Sequence, residues 1–349
     1  MIKLNKILFY FFFLFSFSLA QEKIVLFNVN VIDGLSSSIQ KDKMIFISNR
    51  KIESIKNSGS IPKGYKGIDL YGMYILPGFI DAHTHISSLN AAKRALESGV
   101  TTARSASTSS FQDVSLREMV KAGKLIGPDM IATGVFVTPN LGETILADVR
   151  LANLANGVNK ESELRKLVQI NADRGVDFIK TRGTERAGLP HTDPRKQTYT
   201  KKQLSIIVNE ATKFNIPVMA HAHGDEGGFA AVKAGVRSIE HGTYLSKNTL
   251  SLMKDKGTYL VPTFTTVVDL TEPGGDYDNP ILFIRGQHML PALEATIKTA
   301  YKMGVKIVTG ADTGYGPNST TRIGMEITNF VDLGMKPLES RRSAPIIGA

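Results

Sequence analysis

Chemistry first shows in this sequence at two histidines separated by a single residue, His83 and His85. On a strand, positions i and i+2 face the same side, so both imidazoles can reach one metal ion. The spacing recurs at His221 and His223 in VMAHAHGDEG. Single candidates accompany it: Lys180 after Phe178-Ile179, His241 after Ile239-Glu240, and Asp312 after Thr309-Gly310-Ala311. Any one of these, taken alone, is more often a hydrogen-bonded structural residue, and a lysine ending an apolar strand usually snorkels to solvent. Ligand types at the ends of several β-rich runs are harder to dismiss. Beside metal ions, a desolvated Lys180 would lose its proton and react with carbon dioxide, and the resulting carbamate could bridge two metals. The chain has no cysteine, which leaves His, Asp, Glu and a modified Lys as ligands.

The elements that must position these residues repeat from Leu76 onward. A helical stretch ends at a glycine and a β-rich run follows at Gly99, Gly175, Gly235, Gly257 and Gly304. The stretch Leu204, Ile207, Val208, Ala211, Phe214 has helical periodicity behind a Thr200…Gln203 capping box. Leu293, Ile297, Ala300 and Tyr301 repeat it after Pro291, which suits a first helical position. Alternating helices and strands imply a parallel sheet with helical crossovers. Strands are expected at Pro77–Ile86, Thr101–Ser107, Asp129–Val137, Asp177–Thr181, Pro217–His223, Ser238–His241, Tyr259–Phe264 and Lys306–Asp312. Eight of them predict an α/β fold of the (β/α)8 TIM-barrel type over 75–349, with the candidate ligands at its C-terminal mouth. The alternative is a doubly wound open sheet, and no glycine-rich dinucleotide loop follows the first strand to support it.

Upstream, residues 22–74 hold short β-rich runs at Ile24–Val31, Met44–Ile47 and Ile52–Ile55, separated by turn residues. They predict a small antiparallel, sandwich-like β domain with no chemistry of its own. Residues 1–20 read as a secretory signal peptide: Lys3 and Lys6, an uncharged run from Ile7 to Phe15, then Ser18-Leu19-Ala20. An uncleaved anchor is the rival reading, but the run falls short of the roughly 20 residues that span a bilayer. The mature protein is therefore expected in the periplasm or secreted, with no stable membrane insertion. The formal charge of +10 is scattered among acids, without the long basic runs that a nucleic-acid partner would need.

Leu76–His85 (LPGFIDAHTH), Lys180, His221 in VMAHAHGDEG, His241 in SIEHGTYL and Asp312 in TGADTG together resemble the motif set of the amidohydrolase superfamily. The likeness is nearest to its imidazolonepropionase-like and prolidase-like branch and runs from about Ile24 to the C-terminus. It implies a binuclear centre in which His83, His85 and Asp312 hold one divalent ion, His221 and His241 hold the other, and carbamylated Lys180 bridges them. Zinc is the default for such N/O ligation, with manganese, iron or cobalt as alternatives. The implied reaction is amide hydrolysis by a metal-bridging hydroxide, with Asp312 accepting its proton and passing it to the leaving nitrogen. His223 matches a neighbouring position expected to touch substrate or support the ligands.

The sequence departs from that pattern in two places. Arg104 is followed by Ser105 where Arg-Asp is common, so a contact behind the metals is expected to differ. Lys336–Arg341 looks like the start of the last helix, yet the chain stops at Ala349, so the expectation is a truncated barrel and an incomplete, weakly stabilised β domain. Substrate-binding candidates are Arg182, Arg186, His191 and Arg195 in the loop after strand 4, suited to a carboxylate, and Tyr244, suited to a carbonyl oxygen. The expected substrate is a small molecule such as an Xaa-Pro-like dipeptide or N-acyl amino acid. Cyclic-amide hydrolysis or deamination is the alternative reaction, against which Lys180 counts, and an inactive binding protein on the same scaffold is a third. Self-association stays open.

Overall fold

The computed structural model describes residues 23–36 and 38–344, and the signal-peptide segment lies outside them. Contacts divide the chain into two units, one ending at Leu76 and one starting at Pro77.

The first unit holds β1 (Ile24–Val31), β2 (Gln40–Ser48), β3 (Lys51–Asn57), β4 (Lys66–Asp69) and β5 (Tyr74–Ile75). β1, β2 and β3 pair antiparallel, as the alternating runs and short turns predict, but β4 and β5 join β1 in parallel. The unit is thus one mixed five-stranded sheet rather than an antiparallel sandwich. The linker Ser58–Tyr65 carries the chain back so that β4 runs alongside β1, a crossover that β-propensity does not reveal. Val25, Met44 and Phe46 bury one face, and Val29, Val31 and Ile45 the other.

In the second unit the strands are β6 (Phe79–Thr84), β7 (Val100–Ser105), β8 (Asp129–Ile131), β9 (Ile179–Arg182), β10 (Val218–Ala222), β11 (Ser238–His241) and β12 (Tyr259–Val261). The intervening helices are α1 (Leu89–Glu97), α2 (Gln112–Lys121), α3 (Glu161–Asp173), α4 (Lys201–Thr212), α5 (Asp225–Ala234), α6 (Lys247–Lys256), α7 (Phe264–Asp269) and α8 (Pro280–Met303). α9 (Ile323–Asp332) and α10 (Pro337–Ser343) complete the series. All five glycines of the repeated unit adopt positive φ, from 67° at Gly257 to 99° at Gly235, which a Cβ would resist. Each reverses the chain from a helix toward the next strand.

Every strand pairing in this unit is parallel, in two sheets ordered β6-β7-β8 and β9-β10-β11-β12. They do not form one continuous closed barrel. The third strand is cut to three residues, with Val137 making only an isolated parallel bridge to Thr181. The expected eighth strand, Lys306–Asp312, likewise makes isolated contacts: Val308 N–H donates to Leu260 O at 2.9 Å and Asp312 N–H to His83 O at 2.8 Å. Gly310 and the positive φ of Asp312 (48°) break the extended run there. One large core, including Leu164, Ile179, Leu204, Ile239, Leu260 and Leu293, fills the space among strands and helices. Each such side chain contributes about 1.5–3 kcal/mol by leaving water.

Two helical expectations need correction. α8 starts at Pro280, not after Pro291, because Asn279 caps it by accepting from the Ile281 and Leu282 N–H groups, and Pro291 lies inside the helix. The cap-plus-proline signal was Asn279-Pro280. α4 has its Thr200–Gln203 box but ends at Thr212, leaving Phe214 beyond it and 41% exposed. No helix among the described residues is long and apolar enough to cross a membrane.

Candidate metal centre

His83 is fully buried near the end of β6, and His85, just past that strand, is partly exposed. Beneath them the buried Asp81 accepts the His83 and Ala311 N–H groups at 3.1 and 3.0 Å and the Tyr315 hydroxyl at 2.7 Å. This clamp ties β6 to the segment that carries Asp312. Gly310 lets that segment come close, since a Cβ there would lie 2.8 Å from the His83 Cβ and 2.6 Å from Val261. The outcome is a cluster: Asp312 Oδ1 lies 3.4 Å from His83 Nε2 and 3.1 Å from His85 Nε2.

The far nitrogens of these rings define which atoms face inward. His85 Nδ1 meets the Ser107 carbonyl at 3.0 Å, and a carbonyl only accepts, so Nδ1 carries the proton and a neutral ring offers Nε2 as a lone pair. His83 Nδ1 donates to Glu240 Oε2 at 2.7 Å with the same result. Two imidazole lone pairs therefore face a carboxylate oxygen. Three acceptors converging without a donor repel one another, and a cation among them removes the conflict. On that ground the residues fit a divalent metal.

A second group forms from β10 and β11. One nitrogen from each of His221, His223 and His241 lies within 4.8 Å of the others, and the same limit holds for His83, His85 and Asp312. His221 Nε2 donates to the Glu185 carbonyl at 3.1 Å, leaving Nδ1 free, while His223 and His241 rest their Nδ1 atoms on Thr243 (2.8 Å) and Thr263 (2.7 Å). The His83 and His241 rings are 5.0 Å apart, so the two groups adjoin. His223 sits among these ligand-type residues rather than apart from them. His241 and Thr263 hold positive φ (75° and 49°), strained conformations for non-glycine residues that aim both side chains at the site.

Burial dominates the electrostatics. It pushes His83 to about 4 and His223 to about 3, and carries His221 and His241 well below the usual range, so these rings are neutral and able to ligate near pH 7. Burial would raise Asp312, but the positive charge of Lys180, and of His83 and His85 when they are protonated, outweighs it and holds the carboxyl well below the usual range. Lys180 is buried with its Nζ unpartnered and is brought down to about 8, against the pull of Glu240 and Asp312. Its charge bears on His83, His221, His223, His241 and Asp312.

All seven of these residues border one cavity of about 330 Å³. Arg182 and Arg186 line it too. Arg182 stacks its guanidinium 4.8 Å from the Phe136 centroid, its Nε has no partner, and burial lowers it to about 10, with Arg186 adding to the effect. Neither guanidinium has a carboxylate partner among the described residues. The other substrate candidates are placed elsewhere. Arg195 pairs with Asp193 at 3.1 Å on an exposed stretch, and His191 does not border the cavity. Tyr244 turns its hydroxyl to His288 Nδ1 at 2.9 Å, because the chain beyond His241 folds back through Tyr244 N–H to His223 O. The tyrosine at the cavity is Tyr277, whose phenol is pushed well above its usual range, chiefly by the charge of Asp312 and then by burial. Sequence reading also missed Phe136, Glu240 and the threonine supports. Glu240 and Thr243 flank His241 in the sequence, which was the available signal for those two. Ser105, the departure after Arg104, accepts from the Thr133 hydroxyl at 3.3 Å.

Residues 74–349 match the family model described as the amidohydrolase family. Ochratoxinase from Aspergillus niger is 24% identical, in an alignment that spans 87% of this chain and 71% of that protein. A crystal structure of an Xaa-Pro dipeptidase with methionine bound in its active site superposes with a TM-score of 0.79 at 27% identity, covering 93% of this chain and 87% of that one. The structure of A. niger ochratoxinase superposes at 0.74 with 22% identity, covering 94% and 84%, a likeness of fold. With the match running through the whole second unit, the chain belongs to the amidohydrolase family and is a hydrolase acting on carbon–nitrogen bonds.

Proposed function

We propose that this enzyme hydrolyses the amide bond of a small carboxylate-bearing substrate, a dipeptide or N-acyl amino acid, at a centre for two divalent cations, with zinc as the expected metal. His83, His85 and Asp312 would hold one ion and His221 and His241 the other, with His223 close enough to join the second set or to touch substrate. The observation that carries this reading is the buried Lys180 Nζ, without a hydrogen-bond partner, on the cavity that both groups line. A buried amine without a hydrogen-bond partner is costly unless something else satisfies it. In the proposed state its neutral amine would add to carbon dioxide, an N–C bond forming as a C=O π bond opens and one amine proton leaving to solvent, and the resulting anionic carbamate would help hold the cations. When bound, the cations would supply Lewis acidity for the scissile carbonyl and for the attacking water.

The remaining work falls to side chains. Asp312 takes the proton from the attacking water and delivers it to the leaving nitrogen, a role for which its position between the histidines suits it. Arg182 and Arg186 bind the substrate carboxylate, and Phe136 keeps the Arg182 plane fixed. Relatives named as a dipeptidase and as ochratoxinase are consistent with such a substrate class. As to scaffold, parallel bridges at Val137–Thr181, Leu260–Ile307 and Thr84–Thr313 support a (β/α)8 arrangement in which irregular segments complete the circuit.

The test is a turnover screen of free-carboxylate dipeptides and N-acyl amino acids, with zinc and bicarbonate present, for wild type and Lys180→Ala. Turnover abolished by Lys180→Ala is expected. Cyclic amides cleaved while dipeptides are untouched would replace the substrate assignment, and unchanged activity in Lys180→Ala would discard the bridged centre.

A further inference from the structure

Glu240 stands directly behind a proposed metal ligand, and the reaction as described does not use it. Its carboxylate is fully buried and its hydrogen bonds all come from three residues. His83 Nδ1 donates at 2.7 Å, Arg104 donates to both oxygens at 2.9 and 3.1 Å, and the Ser238 hydroxyl donates at 2.5 Å. Arg104 is itself pinned through Nε to the Ala82 carbonyl at 2.7 Å, one residue before His83. The order Arg104–Glu240–His83 thus links β7, β11 and β6, and it reaches His83 but none of the other ligand-type histidines.

We infer that Glu240, held by Arg104, is a positioning residue that selects the His83 tautomer and thereby sets metal affinity at the His83–His85–Asp312 group alone. With Nδ1 committed as a donor to Glu240, the His83 lone pair must lie on Nε2, the atom facing Asp312. A carboxylate also makes that imidazole a stronger electron donor than an amide or water would. The corresponding supports of His221, His223 and His241 are a backbone carbonyl and two threonine hydroxyls, none of them charged. The two groups are therefore built unequally, and the inequality traces to one carboxylate. This inference rests on the proposed two-cation centre, but its tautomer component does not need a metal.

Glu240→Gln is the informative variant. Because it strands a buried guanidinium, the double variant Arg104→Met/Glu240→Gln, without net buried charge, serves beside it as a folding control. In metal-free protein, imidazole 15N shifts should report a His83 proton fixed on Nδ1 in wild type and a loss of that preference in both variants. Calorimetric titration with zinc alone should show two binding steps in wild type. In both variants one step should weaken roughly 10- to 100-fold, the cost usual for losing a hydrogen-bond partner behind a metal ligand, with the other unchanged. An unaltered His83 tautomer with both steps intact would overturn the inference. So would equal weakening of both steps in Glu240→Gln that the double variant restores together with the melting temperature, since that is the behaviour of a packing role. Wild-type protein that binds no zinc would overturn the cation centre itself, and the tautomer comparison would still decide whether Glu240 directs His83.

Discussion

At the scale of single residues, the site combines groups whose ordinary chemistry has been altered by burial. Neutral histidines, an amine drawn down to about 8 and an ionised Asp312 coexist because desolvation penalises each cation while the charge of Lys180 favours the carboxylate. The candidate ligand positions were legible in the sequence because each lies in a short motif on or beside a β-rich run. Their supports were not, because Glu185, Ser107 and Thr263 reach the rings from other elements, and nothing in a linear pattern ties them to a histidine. The same limit explains Tyr244 and Arg195, which lie near the right strand ends but hydrogen-bond away from the cavity. Arg182 affords the residue-scale prediction. Arg182→Met should raise KM for carboxylate-bearing substrates roughly 10- to 160-fold, the equivalent of about 1.5–3 kcal/mol for a lost charged hydrogen bond, and leave the corresponding carboxamides nearly unaffected. Paired kinetics on one dipeptide and its amide check this, and an equal loss on both would remove Arg182 from substrate recognition.

At the scale of elements, glycine placement and capping account for most of what the sequence revealed, and the misses have physical causes. The five turn glycines are legible because only glycine accepts their φ cheaply. Irregular segments such as Val137 and Lys306–Asp312 are not, because their pairing depends on strands far away in sequence. Gly310 is one such point of contact. Gly310→Ala would press a methyl group onto His83 and Val261, so a loss of about 1–3 kcal/mol in unfolding free energy is expected, with weakened metal binding. Denaturant unfolding and zinc titration of the variant check both parts. A second prediction concerns the α3–α4 junction, where Glu210 accepts from Arg165 at 2.6 Å, Gln169 at 2.9 Å and Lys213 at 2.7 Å. Burial works to raise this carboxyl, but these three donors outweigh it and bring it from 4.5 to about 2. A depressed carboxylate stabilises the fold fully above the unfolded value and progressively less below it. Stability should therefore fall as pH drops from about 4.5 toward 2, and less steeply in Glu210→Gln. Melting curves across that range measure it, and parallel slopes in the two proteins would exclude Glu210 as the source.

At the scale of the whole molecule, an all-parallel unit carries every ligand-type residue, and a separate mixed sheet precedes it. The division was visible as a change from short alternating runs to the helix–glycine–strand repeat at Leu76. The mixed character of the first sheet was not visible, because the parallel partners of β1 are the short runs KGID and YI, which carry no strand pattern of their own. Family membership is fixed by the match over residues 74–349, and the two-cation centre is the central claim made for it. Metal removal tests that claim most directly. Chelated enzyme, freed of chelator, should lose its amide hydrolysis and regain it with close to two zinc ions bound per chain when bicarbonate is supplied. Activity that persists in protein shown by elemental analysis to contain no metal would contradict the account.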